Sequence, residues 1–248
     1  GGNIGGKEIG TITVKDNVDG SSSQGSIYID KVGTIKLDGD LNGDIFVNEE
    51  VNKIDAEGKK VSGDVILEKI ASTEESAGSA KIGTVEGDVI VGTLDKNAEL
   101  NVDTVKDNAI IGSTGKISVD DAQGNINVSN SVNEVEVSLN GGNLNITNTE
   151  KTASAGEISI SGEGNTTVDN AGTMNISGDL NGDITVNTSV DTINGGTAGI
   201  SKTVDGNVNV AQNTGSITLG KVTGTLKLDD VQGDVDIFQK AGNVDATL

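Results

Sequence analysis

Residues 32–54 read VGTIKLDGDLNGDIFVNEEVNKI, and residues 171–193 read AGTMNISGDLNGDITVNTSVDTI. The two stretches lie 139 residues apart, which is seven periods of about 20 residues. The intermediate periods are visible as Gly, then Asp or Asn, then apolar-x-apolar. The motif is GDIFV from Gly43, GDVIL from Gly63, GDVIV from Gly87 and, as a variant, DNAII from Asp107. It continues as GNINV from Gly124, GNLNI from Gly142, GNTTV from Gly164, GDITV from Gly182, GNVNV from Gly206 and GDVDI from Gly233. GSIYI from Gly25 reads as an opening member. A companion motif lies about ten residues before many of these: GTIKL from Gly33, GKISV from Gly115, NEVEV from Asn133, GEISI from Gly156 and GTMNI from Gly172.

Each motif alternates with period two, as a short strand does, and Gly marks a corner where positive φ is expected. No stretch combines helical apolar spacing with a cap and adequate length. Two short strands and two corners per ~20 residues describe one coil of a β-solenoid. The expectation is an all-β fold, a β-solenoid (β-helix) of about twelve coils with a ~20-residue period. At about 4.8 Å per coil the stack is expected to span roughly 55–60 Å. Residues 1–248 are expected to form a single elongated domain. The alternative is a pair of tandem β-sandwich domains, since turns every 8–12 residues also fit that fold. Sandwich cores use larger side chains and longer strands, and a long-range repeat in fixed register favours stacking.

Composition agrees with a core of thin aliphatic layers. The 248 residues contain no Pro, His, Cys, Trp or Arg, and two Phe and one Tyr are the only aromatics. Asp and Glu outnumber Lys 38 to 17, for a net charge of −21. Such a surface repels nucleic acid and anionic membranes and suits divalent cations. No apolar run approaches membrane-spanning length, and a disulfide framework is excluded. The chain starts with Gly and shows no signal peptide, so it is expected to be an excised or processed part of a longer protein. The charge and the Gly and Ser content raise disorder as a possibility, against which the regular apolar alternation argues.

Asp38, Asp40, Asn42, Gly43 and Glu49 match an EF-hand calcium loop by spacing. An EF-hand needs flanking helices, whereas GTIKL and IFVNEEV read as strands. The second copy replaces the first Asp by Ser177 and the terminal Glu by Thr188. The pattern is therefore read as corner chemistry, with Asp where turns favour it. A weaker calcium reading survives. Asp44, Asp64 and Asp88 follow the corner Gly in three successive coils, and carboxylates at coil spacing repel by roughly 1 kcal/mol even in water. A bound Ca²⁺ would turn that cost into a gain. Calcium is the candidate cofactor, with Asp44, Asp64 and Asp88, and also Asp38 and Asp40, as candidate ligands. The competing reading is a solvated acidic ridge. Further along, Asn108, Asn125, Asn143 and Asn165 take the same place, where side chains can hydrogen-bond along the stack.

The middle residue of each apolar-x-apolar strand is expected to face solvent. This column runs Tyr28, Phe46, Ile66, Ile90 and Ile110, then Asn127, Asn145, Thr167, Thr185 and Asn209. Its first five members are apolar, whereas the companion strands keep Lys36, Ser118, Glu136, Ser159 and Asn175. Tyr28, Phe46, Ile66, Ile90 and Ile110 are therefore candidate interface residues. The competing readings are cover by the segments 69–81 or 93–99, and plain strand propensity.

No phosphate loop, nucleophile elbow or zinc spacing is present. NGGTAG, from Asn194 to Gly199, reads as a loop. Polysaccharide-cleaving β-helices use Arg, Lys or His beside carboxylates, with aromatics for sugar rings. This chain has no His, Arg or Trp, and no carboxylate pair stands out, so no catalytic residue is assigned. The Thr-x-Thr array of ice-binding solenoids is missing.

The GD-apolar-x-apolar repeat, rich in Asn, Thr, Asp and Gly and without Cys, resembles the repetitive solenoid regions of bacterial surface proteins: S-layer proteins, adhesins and autotransporter passengers. The resemblance is architectural and transfers no functional residue. It implies an extracellular or cell-surface structural protein, a segment of a surface layer or filament assembling through stacked β-coils. The expected partners are self-association or neighbouring subunits. A cell-surface or matrix partner follows from the alternative, an adhesin stalk or binding module. A carbohydrate-active β-helix enzyme is the third reading. The closing GNVDATL reads as a strand without a polar cap, which leaves a ladder edge open to further coils.

Overall fold

The computed structural model describes residues 2–15, 23–113, 115–130, 133–147, 155–197 and 200–247. Among these residues every regular element is a strand. The fold is a β-solenoid: coils of parallel β-structure stack with a period of about 19 residues, about 11 turns counted over both parts of the chain. The chain divides into two compact units, residues 1–128 and 129–248.

In the first unit, Ile27–Leu37, Ile45–Val61 and Val65–Ile70 are successive strands of the stack. Their register is parallel, with Ile27 opposite Ile45 and Ile45 opposite Val65. Strand formation follows from the β-branched Val and Ile at alternate positions. Ile45–Val61 alternates a buried set (Ile45, Val47, Val51, Ile54, Ala56, Val61) with half-buried or exposed residues.

Stacking turns each buried position into a column. One runs Ile27, Ile45, Val65, Val89, Ala109, all at or below 1% exposure. Others run Ile29, Val47, Leu67, Val91, Ile111 and Ile35, Ile54, Ala80, Leu100, Ile117. Burying one such side chain fully is worth about 1.5–3 kcal/mol. No aromatic lies in this core.

The coil holds more than the two motif strands. Leu41, Val61, Val85, Val105 and Ala122 form a further buried column between the companion motif and the next corner. These residues stand alone between polar neighbours, so they lack the alternation that marks a strand.

The second unit repeats the plan. Thr166–Asn181 and Ile184–Thr197 pair in parallel, with Thr166 opposite Ile184 and Met174 opposite Ile193. Here the expected motif order needs one correction. GDVDI from Gly233 does not continue the corner series, because Val235 pairs with Ile217 in the companion column below Ile193. Leu226 and Val244 are the corner-column members that follow Val208. NGGTAG also differs from a loop: it is strand as far as Thr197, and Gly196 pairs antiparallel with Ser201. Ala198 and Gly199 lie outside the described residues, as does Leu248.

Candidate functional site

The corner residue after each Gly forms one continuous ladder in each unit. In the first unit, Asp44 Oδ1 accepts the backbone N–H of Asp64 at 3.0 Å. Asp64 Oδ1 accepts the N–H of Asp88 at 2.9 Å, and Asp88 Oδ1 that of Asn108 at 2.9 Å. Asn108 Oδ1 accepts the N–H of Asn125 at 3.3 Å. At the lower end, the hydroxyl of Ser26 accepts the N–H of Asp44 at 2.9 Å. The second unit does the same with amides and one acid: Asn143, Asn165, Asp183 and Asn207 accept from Asn165, Asp183, Asn207 and Thr225. The side chain of one coil thus satisfies a corner N–H of the next, which the strand ladder leaves unpaired.

The same geometry explains the glycine. Gly43, Gly63 and Gly87 do not adopt the left-handed backbone expected of a corner. Gly63 and Gly87 are Gly because the side chain of the previous coil passes over them, and Gly43 because the Gly25 carbonyl does. A Cβ at Gly63 would overlap Asp44 Oδ1, and one at Gly87 would overlap Asp64 Oδ1. Gly-Asp is one device: the Asp reaches up and the next Gly makes room.

Asp44, Asp64 and Asp88 are therefore brought together, as a half-buried vertical row rather than a cage. Asp40 belongs elsewhere, accepting the N–H of Lys60 at 2.9 Å. Its counterpart in the repeat, Asp179, accepts that of Thr203 at 2.8 Å. Asp38 pairs with Lys36 Nζ at 2.7 Å. That hydrogen bond and the lysine's charge hold the Asp38 carboxyl below its ordinary range and raise the Lys36 ammonium. The five spaced residues of the EF-hand pattern thus occupy separate coil positions on strand and corner backbone. Among the described residues no group of three or more acidic side chains is disposed to hold one metal ion.

The outward column is in register as expected. Tyr28 lies opposite Phe46, Phe46 opposite Ile66, Ile66 opposite Ile90, and Ile90 opposite Ile110. Tyr28 is 45% and Ile110 50% exposed, and the three between them are half-buried. The rings of Tyr28 and Phe46 lie 6.2 Å apart, tilted by 40°. The segments 69–81 and 93–99, expected as cover, hydrogen-bond to each other: Ser72 N–H donates to Asp95 Oδ2 at 3.1 Å and Glu99 N–H to the Gly78 carbonyl at 3.0 Å. In the second unit the same column is Asn145, Thr167, Thr185, Asn209 and Lys227.

Two shallow clefts lie elsewhere on the surface. One, of about 270 Å³, is lined by Gly162, Asp179, Leu180, Asn181, Thr203 and Asp205. Its carboxylates are engaged, Asp179 with Thr203 N–H and Asp205 with the Thr223 hydroxyl at 2.6 Å. The other, of about 120 Å³, lies among Glu57, Lys81, Ile82, Asn101 and Asp103. No helix among the described residues is long and apolar enough to cross a membrane. Comparison with protein-family models, with curated proteins and with solved structures finds no match.

Proposed function

We propose that the chain is a structural, extracellular protein: a solenoid segment of a bacterial surface layer or surface filament that assembles through stacked coils. The observation that carries this reading is the Asp and Asn ladder. The polar side chains that recur once per coil bond coil to coil, so the repeated chemistry of the sequence serves stacking. Calcium assists in this reading by bridging the Asp44–Asp64–Asp88 ridge between neighbouring molecules.

Negative-stain electron microscopy of the purified chain tests it. Sheets or fibres in millimolar Ca²⁺ that disperse in chelator are expected. Isolated molecules under both conditions would sink assembly by this segment.

A second reading, a binding module, rests on the in-register apolar column. The Tyr28→Ser/Phe46→Ser variant separates the two: lost assembly favours the lattice, and lost partner binding with assembly intact favours the module.

A further inference from the structure

The ladder requires a side-chain oxygen at each corner, and Asn supplies it as well as Asp. The second unit shows this, with Asn143, Asn165 and Asn207 accepting the same bond that Asp44, Asp64 and Asp88 accept in the first. The ladder uses one oxygen of each acid, so the three negative charges of the first unit are surplus to it; Asp44 alone also uses its second oxygen, which accepts the Ser26 and Tyr28 hydroxyls at 3.3 and 3.4 Å. The three acids stand two residues before Phe46, Ile66 and Ile90, along one side of the apolar column. On the other side, two residues after the column, stand Asp30, Asn48 and Glu68, with Glu49 exposed beside them. Neither bordering column carries a lysine. Lys31 and Lys69 lie one residue further out and pair with Glu50 at 3.3 and 3.8 Å, and Lys69 also with Asp95 at 3.3 Å. Where the outward column turns polar in the second unit, its Asp-or-Asn border keeps one acid, Asp183. The apolar stripe and the Asp44–Asp64–Asp88 border go together, while the other border carries two acids in each unit, Asp30 and Glu68 in the first and Asp169 and Asp229 in the second.

We infer that the Tyr28–Phe46–Ile66–Ile90–Ile110 stripe is the docking surface for a basic amphipathic helix of another protein, with Lys or Arg flanking a narrow apolar seam. This inference rests on the second reading above, that the stripe is an interface, and not on self-assembly. Charge complementarity selects the occupant. A second copy laid stripe to stripe would bring Asp44, Asp64 and Asp88 against the acids of its partner, at a Coulombic cost. Flanking cations on the occupant relieve that repulsion and the repulsion within the ridge. The spacing suits a helix. Stacked side chains repeat about every 4.8 Å, close to the rise of about 5.4 Å per helical turn. Five positions span roughly 19 Å, between three and four turns. No helix occurs among the described residues of this chain to fill the place.

The probe is a synthetic amphipathic helix of about fifteen residues, Leu on one face and Lys on the other, with a matched peptide carrying Glu for Lys. Binding to the full chain is measured by fluorescence anisotropy at about 0.15 M salt, where long-range attraction is screened. The stripe variant is Ile66→Thr/Ile90→Thr/Ile110→Asn, which installs residue types the second unit already carries in this column. Its circular dichroism and melting temperature check folding. A second variant, Asp64→Asn/Asp88→Asn, keeps every ladder acceptor and removes only charge; Asp44 is left in place because its Oδ2 accepts the Tyr28 hydroxyl at 3.4 Å. The expected result is saturable binding of the Lys peptide, weakened at least about tenfold by either variant, and none of the Glu peptide. Equal affinity of the stripe variant would show charge attraction alone and overturn the inference. Comparable binding of the Glu peptide would overturn it too. So would self-association of the native chain that the stripe variant abolishes, which would make a second copy the occupant. Loss of peptide binding leaves the microscopy of assembly unchanged, so the two readings fail separately.

Discussion

Asp44 Oδ1 accepts the backbone N–H of Asp64 at 3.0 Å, across the bare Cα of Gly63. This relationship between one coil and the next recurs along both units. It accounts for the most conspicuous dipeptide of the sequence.

The glycine half of the device predicts a steric cost. Gly63→Ala is expected to destabilise by about 1–3 kcal/mol, as overpacking does, read by denaturant unfolding. Gly10→Ala is the control, since nothing lies within 4 Å of a Cβ there. Equal stability of the two variants would refute the close approach.

The acid half predicts that the oxygen matters and the charge does not. Asp64→Asn keeps the acceptor for the Asp88 N–H and is expected to be neutral or slightly stabilising, through relief of like-charge repulsion. Asp64→Ala removes it and is expected to cost about 1–2 kcal/mol. An Asn variant as unstable as the Ala variant would argue that the carboxylate itself is needed.

Neighbours on opposite faces should behave differently. Leu67 is fully buried, and Leu67→Ala is expected to cost about 2–5 kcal/mol. Ile66 faces outward, and Ile66→Thr is expected to stay within about 0.5 kcal/mol of the parent. Thermal melts of both variants decide this.

Thr166 is a hydroxyl in an apolar column between Leu144 and Ile184, fully buried, and its Oγ1 has no hydrogen-bond partner. Thr166→Val keeps the shape and removes the unpaired group. A gain of roughly 1 kcal/mol is expected in unfolding experiments. A loss would mean that the hydroxyl has a partner in solution.

The Glu86 carboxyl is held below its ordinary value of 4.5 by the hydrogen bond and charge of Lys106, whose Nζ lies at 2.9 Å, and by Lys60. A depressed folded value means that its contribution to stability is present above the unfolded value and is lost as pH falls through the folded one. NMR titration should place the midpoint below 4.5, and Lys106→Met should raise it. A midpoint that ignores Lys106→Met would remove the pair from the account.

Much of the fold was legible because stacking imposes one demand many times. The inward Ile and Val of the corner and companion motifs alternate with polar residues, and their spacing recurs. The lone Leu41, Val61 and Val85 were not legible, because a single buried residue carries no period. GDVDI from Gly233 matches the corner motif letter for letter, yet pairs with the companion column. A five-residue pattern cannot say which face of the coil it belongs to when both faces want the same alternation.

The sequence by itself determined the repeat, the strand alternation, the aliphatic core and the outward apolar column, since each depends on spacing along the chain. Only the tertiary structure decided what the corner residues do. Asp44 and Gly63 lie far apart in sequence and meet because one coil rests on the next. The same stacking decided that Asp38 and Asp40, two residues apart, serve different partners: one a lysine in its own coil, the other a backbone N–H in the coil above. Hydrogen bonds between coils depend on register, and register is set by the packed core as a whole rather than by any one motif.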